Sequence, residues 1–185
     1  LLCGKTDLSK IYGIEVQQEV AEMAQRSIKL NNLENRFEII NKNIKDLESV
    51  FDKNSFDFII TNPPYKKMDT GKTNENSKKL ISRHEITATL KDFIKISYIM
   101  LKDKGTLYMV HKPERLVDII YQLRRNKIEP KEIRFVHPYE KKEPNLILIK
   151  AVKNGGQFLK IDKPLYVYNE RGEYTEEILK IYNKM

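Results

Sequence analysis

Asn62-Pro63-Pro64-Tyr65 is the segment whose residue types and spacing can do chemistry. An exocyclic amine is a poor nucleophile because its lone pair is delocalised into the ring. The Asn62 carboxamide oxygen can accept one amine hydrogen, and the Pro63 carbonyl can accept the other. Two acceptors placed tetrahedrally favour the sp³ geometry, in which the lone pair points at a methyl donor. Prolines at 63 and 64 restrict the backbone and preset that carbonyl. Tyr65 offers a flat ring on which a base can stack, worth about 1–3 kcal/mol. No strong general base is needed, since a sulfonium donor is already activated and the proton can leave late. A plain strand-ending turn accounts for the two prolines. It does not account for Asn62 before them and an aromatic after them, directly behind an apolar strand.

Other candidates carry weaker signals. Glu15 closes the short apolar run Tyr12–Val16, where an acid can accept both ribose hydroxyls of a nucleoside cofactor. A solvated strand-end acid reads the same way. Asn43, just past a second strand, could bond an adenine edge or simply hold a turn. In Ser82-Arg83-His84-Glu85, Arg83 and His84 could meet phosphate or base. Ser82 and Glu85 also form a capping-box pattern, and both readings can hold together. His111-Lys112-Pro113 reads as a helix start, and His137-Pro138-Tyr139 as a strand end without a role.

These residues need elements to place them. Apolar runs predict strands at 12–16, 37–40, 56–61, 106–110, 132–136 and 145–152. The fourth is preceded by an Asp103–Gly105 turn. Helical spacing predicts helices at 17–31, 86–101, 114–125 and 174–182, with a short turn at 45–50. In the first helix, Val20, Ala21, Ala24, Ile28 and Leu30 should face inward. Lys66–Ser82 reads as a long polar loop. Strand–helix alternation predicts an α/β, doubly wound, mostly parallel sheet with a final antiparallel pair at the C-terminal side. Such sheets carry a glycine-rich turn after their first strand, and no G-x-G precedes Glu15. The first strand and glycine loop are therefore expected to lie outside this chain. One incomplete domain is expected over 1–153, with an extension over 154–185 packed on it.

Composition excludes several classes. One cysteine among 185 residues excludes an internal disulfide, and three scattered histidines argue against a Cys/His metal site. No apolar run reaches the roughly 20 residues of a membrane span. A reducing, cytoplasmic setting is the default. The net charge of +8 is unevenly spread. Lys66–Arg83 carries six basic and two acidic residues, and His111–Lys142 carries nine and five. Two basic stretches fit a polyanion partner. A lysine-rich composition with solvated faces fits them equally.

Taken together, Glu15, Asn43 and Asn62-Pro63-Pro64-Tyr65 resemble the class I amino-methyltransferases. Arg83-His84-Glu85, Leu101-Lys-x-x-Gly105, His111-Lys-Pro-Glu-Arg-Leu116 and Val136-His-Pro138 narrow the resemblance. They are similar to the bacterial tRNA1(Val) (adenine-37-N6)-methyltransferase family. That resemblance implies a Rossmann-like fold and S-adenosylmethionine as cofactor. It also implies a tRNA anticodon-loop adenine as substrate. Glu15 would hold the ribose, Asn43 and Ile44 would contact the adenine, and Val16 and Asn62 would also belong to the cofactor site. Lys66, Lys67, Arg83 and His84 would contact RNA. An acid is commonly expected where Asn43 stands. A monomer without metal or membrane partner is expected. Guanine N2-methylation of rRNA and glutamine N5-methylation of a protein use closely related geometry. A non-catalytic nucleic-acid-binding module also stays open.

Overall fold

The structure, a computed structural model, describes residues 2–65 and 88–182. The described chain forms two compact units, residues 2–50 with Ala88 and residues 51–65 with 89–182.

The first unit runs α1 (Leu2–Lys5), β1 (Ile11–Glu15), α2 (Gln18–Leu30), β2 (Phe37–Asn41) and a 3₁₀ turn (Ile44–Ser49). β1 and β2 pair in parallel, with Glu15 opposite Asn41. Parallel strands need a crossover, and α2 supplies it. Helix α2 stops where expected, because Asn32 adopts φ +53° just past its end. Its inward face is narrower than its apolar spacing suggests. Ala21 and Ile28 are buried, but Val20 is half-exposed and Leu30 is 82% exposed. The Arg36 guanidinium ties down the start of the chain by donating to the Cys3, Thr6 and Leu8 carbonyls at 2.7–3.2 Å.

The second unit contains β3 (Phe56–Thr61), α3 (Leu90–Met100), β4 (Leu101–His111) and a 3₁₀ turn (Pro113–Arg115) leading into α4 (Leu116–Arg125). It continues with β5 (Ile128–His137), β6 (Leu146–Lys153), β7 (Lys160–Ile161), β8 (Leu165–Tyr166) and α5 (Glu176–Tyr182). The strand order is β3-β4-β6-β5-β7, with β8 also on β5. β3 and β4 are parallel, while β6 runs antiparallel to both β4 and β5. The expected mixed α/β architecture with its antiparallel member is present. Alternate residues of β4 and β6 point into one core. Leu107, Met109, Ile147, Ile149 and Ala151 pack there with Ile94 of α3 and Ile119 and Leu123 of α4. Each large aliphatic side chain buried this way contributes about 1.5–3 kcal/mol.

Several boundaries differ from the pattern-based expectation, each for a local reason. The Asp103–Gly105 turn is a bulge inside β4, where pairing slips from Phe56–Leu101 to Phe58–Thr106. Lys104 takes φ +60° there. A Cβ on Gly105 would stand 2.9 Å from the Lys102 carbonyl oxygen and 3.2 Å from that of Asp57, so the bulge requires glycine. Helix α3 begins at Leu90, later than the apolar pattern suggests. Thr89 and Asp92 form its capping box, with Asp92 accepting the Thr89 N–H at 2.8 Å. Ser82 and Glu85 lie outside the described residues. The segment after Gly155-Gly156 adds β7 and β8 to β5, two-residue strands too short for a periodic signal.

The last inward position of β6 is a lysine. Lys153 is 5% exposed, and its ammonium donates to the Asn54 carboxamide, the Tyr98 carbonyl and the Leu101 carbonyl at 2.6–2.8 Å. All three ammonium donors are thereby used. Burial pushes its pKa down. Among the described residues, no helix is long and apolar enough to cross a membrane.

Candidate active site

In the first unit, the carboxyl ends of β1 and β2 lie side by side because the strands are parallel. This is the end of an open α/β sheet at which ligands bind. Glu15 is half-buried there. Its Oε1 accepts the Gln17 N–H at 2.8 Å, and its carbonyl accepts from the Asn41 side chain at 2.8 Å. One carboxylate oxygen is therefore anchored locally, while the other carries no hydrogen bond to a described residue. Val16, just beyond the strand, is 42% exposed. Asn43 lies two residues past β2, and its oxygen accepts the Lys45 N–H at 3.1 Å to cap the 3₁₀ turn. Half-buried Ile44 follows Asn43.

In the second unit, Asn62 to Tyr65 leave the carboxyl end of β3. Thr61 pairs with Met109 of β4. Two residues further on, the chains carry Pro63 and His111, and both are buried. Asn62 and Pro64 are exposed, and Tyr65 is half-buried. The anchoring is thus alternate: the Pro63 ring is locked in the interior while the Asn62 carboxamide faces outward.

Tyr65 is the focus of a cluster that sequence reasoning missed. The His111 ring stands near edge-on to it, with centroids 5.1 Å apart and planes at 64°. The Lys112 ammonium lies over the Tyr65 ring, 5.6 Å from its centroid. The Arg115 Nη1 donates to the Tyr65 carbonyl at 3.2 Å, while its Nε donates to Asp118 at 2.9 Å. His111 Nδ1 accepts the Lys112 N–H at 2.7 Å. Burial first, and the Arg115 cation second, hold the His111 pKa below its ordinary value. The ring is therefore neutral near neutral pH. The only signal in the sequence was the His111-Lys-Pro-Glu-Arg115 run, which also reads as a helix start.

The basic residues divide differently from the charge count. Lys66, Lys67, Arg83 and His84 lie outside the described residues. In the stretch 111–142, most cations are engaged internally. Arg115, Arg124, Arg134 and Lys141 pair with Asp118, Glu129, Glu177 and Glu170. Lys131 donates to the carbonyls of Gly156, Gln157 and Phe158. Much of the basic charge there already has intramolecular partners, which weakens its reading as a polyanion footprint. Among the described residues, no group of three or more His, Cys, Asp and Glu side chains could hold a metal ion.

The family model of the Eco57I restriction-modification methylase matches residues 9–143. The chain belongs to that family. The match covers both strand ends described above, from β1 through β5. The chain is also similar to proteins named tRNA1(Val) (adenine(37)-N6)-methyltransferase. The one from Porphyromonas gingivalis is 26% identical over 80% of this chain and 58% of its own length. The one from Parabacteroides distasonis is 25% identical over 98% of this chain and 75% of its own length. This Eco57I-family chain thus spans about 58% of the first relative. Among solved structures, a protein titled a predicted O-methyltransferase from Agrobacterium tumefaciens superposes with a TM-score of 0.74. It is 20% identical, over 94% of this chain and 77% of its own. At that identity the likeness establishes the fold, which is the Rossmann-like methyltransferase fold.

Proposed function

We propose that this protein transfers a methyl group from S-adenosylmethionine to the N6 amine of an adenine in RNA, most specifically a tRNA anticodon-loop adenine. The observation that carries the reading is Asn62-Pro63-Pro64-Tyr65 at the carboxyl end of β3, with its carboxamide outward and its proline ring buried. The similarity to named tRNA adenine-N6 methyltransferases and the family membership support it.

S-adenosylmethionine, once bound, supplies an electrophilic methyl on a sulfonium. Everything else falls to the chain. The available carboxylate oxygen of Glu15 accepts ribose hydroxyls, while its partner oxygen is held by the Gln17 N–H. Val16, Asn43 and Ile44 border the adenine of the cofactor. Asn62 Oδ1 and the Pro63 carbonyl accept the two amine hydrogens and turn the lone pair toward the methyl. The Tyr65 ring stacks on the target base, which must leave its own stack to reach the site. Lys66, Lys67, Arg83 and His84 are assigned to the RNA backbone and the flanking bases. The reading takes the protein as a cytoplasmic monomer without a metal. It takes 1–153 as the methyltransferase domain and 154–185 as its extension.

The test is transfer of labelled methyl to total tRNA, rRNA, protein and duplex DNA, followed by nucleoside and amino-acid analysis. N6-methyladenosine in tRNA is the expected product. Label in N2-methylguanosine or N5-methylglutamine would replace this reading with a related one. Label in DNA alone would align the protein with restriction-modification methylation, the activity in its family's description.

A further inference from the structure

Two pairs of acceptors in the motif have different surroundings. Asn62 Oδ1 and the Pro63 carbonyl are the ones the proposed chemistry uses. The Pro64 and Tyr65 backbone lies beside groups from the end of β4 and the turn that follows it. Arg115 donates to the Tyr65 carbonyl at 3.2 Å, 50 residues along the chain. Its guanidinium cannot swing away easily, since Asp118 holds its Nε at 2.9 Å.

His111 supplies the second grip. It is fully buried at a strand position where an aliphatic residue would pack without polar cost. Its Nδ1 accepts the Lys112 N–H, so in the neutral ring the proton sits on Nε2. That Nε2 is buried and meets no hydrogen-bond partner among the described residues. A buried donor left so costs about 1–3 kcal/mol. The Pro64 backbone pulls the ring's pKa upward, against the larger downward pull of burial and Arg115. Hydrogen bonds that are long in a free enzyme tighten in its substrate complex.

We propose that His111 and Arg115 are positioning residues, gripping the Pro64 and Tyr65 backbone from the adjacent strand end and thereby fixing Asn62 and Pro63 for the amine. The inference rests on the amine-methylation reading above. His111 Nε2–H closes on the Pro64 carbonyl when the target base stacks on Tyr65. Lys112, over the same ring in the free protein, is the cation that an incoming base meets there.

The experiment uses the full-length protein with His111→Asn, Arg115→Ala and Arg115→Lys. Asparagine keeps an acceptor for the Lys112 N–H and drops the reach to Pro64. The expected result is a kcat on tRNA lower by roughly 10- to 100-fold for His111→Asn and Arg115→Ala. The tRNA KM, cofactor affinity and melting temperature should hold near parental values, and Arg115→Lys should recover part of the rate. Exchange of the Tyr65 backbone amide should quicken in the first two variants. Parental kcat in both would overturn the proposal. So would a loss of rate that simply follows lost cofactor binding and melting temperature. If the unsubstituted protein methylates nothing, the earlier reading fails on its own account. Tyr65 amide exchange then decides the matter: unchanged exchange in the variants would still overturn the positioning role.

Discussion

The ends of β1 and β3 each carry a group of candidate site residues, and they are built by opposite means. At Glu15 the carboxylate is held by a backbone N–H two residues away, and Asn43 caps its own turn in the same way. At Tyr65 the contacts come from His111, Lys112 and Arg115, more than 45 residues further along the chain. A local anchor survives small shifts of the surrounding packing, whereas a distant one depends on β3 and β4 staying in register. The difference suits the proposed tasks. A carboxylate accepting two hydroxyls tolerates some play, but two acceptors that reshape an amine tolerate little.

The largest expected effect separates the two ends directly. Asn62→Ala should lower methyl transfer by at least about 100-fold and leave S-adenosylmethionine affinity nearly unchanged by calorimetry. A variant that still turns over at the parental rate breaks the comparison at once. Next in size is the frame at the amino end of β3. Lys153→Met removes three charge-assisted hydrogen bonds and leaves their acceptors behind. Urea unfolding should show a loss of about 2–4 kcal/mol, and an unchanged midpoint would mean the packing does not depend on this lysine.

Glu15→Gln should weaken cofactor binding about 10-fold, equivalent to about 1.4 kcal/mol. The melting temperature should not move, because glutamine keeps the acceptor for the Gln17 N–H. If Asn62→Ala weakens cofactor binding as much as Glu15→Gln does, the two ends do not divide the labour. The smallest effect concerns pH. The His111 pKa lies below its ordinary 6.5, through burial and then Arg115. The unfolded chain therefore takes up a proton before the folded one does, and stability is full above pH 6.5. It should decline as pH falls through that value toward the folded pKa. His111→Gln should flatten the acid side of the melting-temperature profile, and an identical slope would assign the decline to other groups.

Much of the architecture was legible in the residues. The strands at 37–40 and 56–61, the crossover helix ending at Asn31-Asn32, and the antiparallel pairing of the last long strands all followed from periodicity and turn chemistry. The misses had physical causes. The start of α3 was set by Thr89 and Asp92 rather than by the apolar pattern, because a cap can outweigh one more apolar turn. The Asp103–Gly105 segment looked like a turn but bulges within β4, since Gly105 lets the Lys102 and Asp57 carbonyls approach.

For the site, the sequence by itself determined the chemistry offered at Asn62-Pro63-Pro64-Tyr65, because those four groups act as neighbours on one stretch of backbone. It also put an acid at the end of β1 and an amide past β2. Only the tertiary structure decided that His111 is buried and neutral beside Tyr65, that Arg115 holds the Tyr65 carbonyl, and that most cations of 111–142 are engaged internally. Those contacts join strand ends far apart in the chain. They depend on the parallel register of β3 and β4, and no local spacing records it.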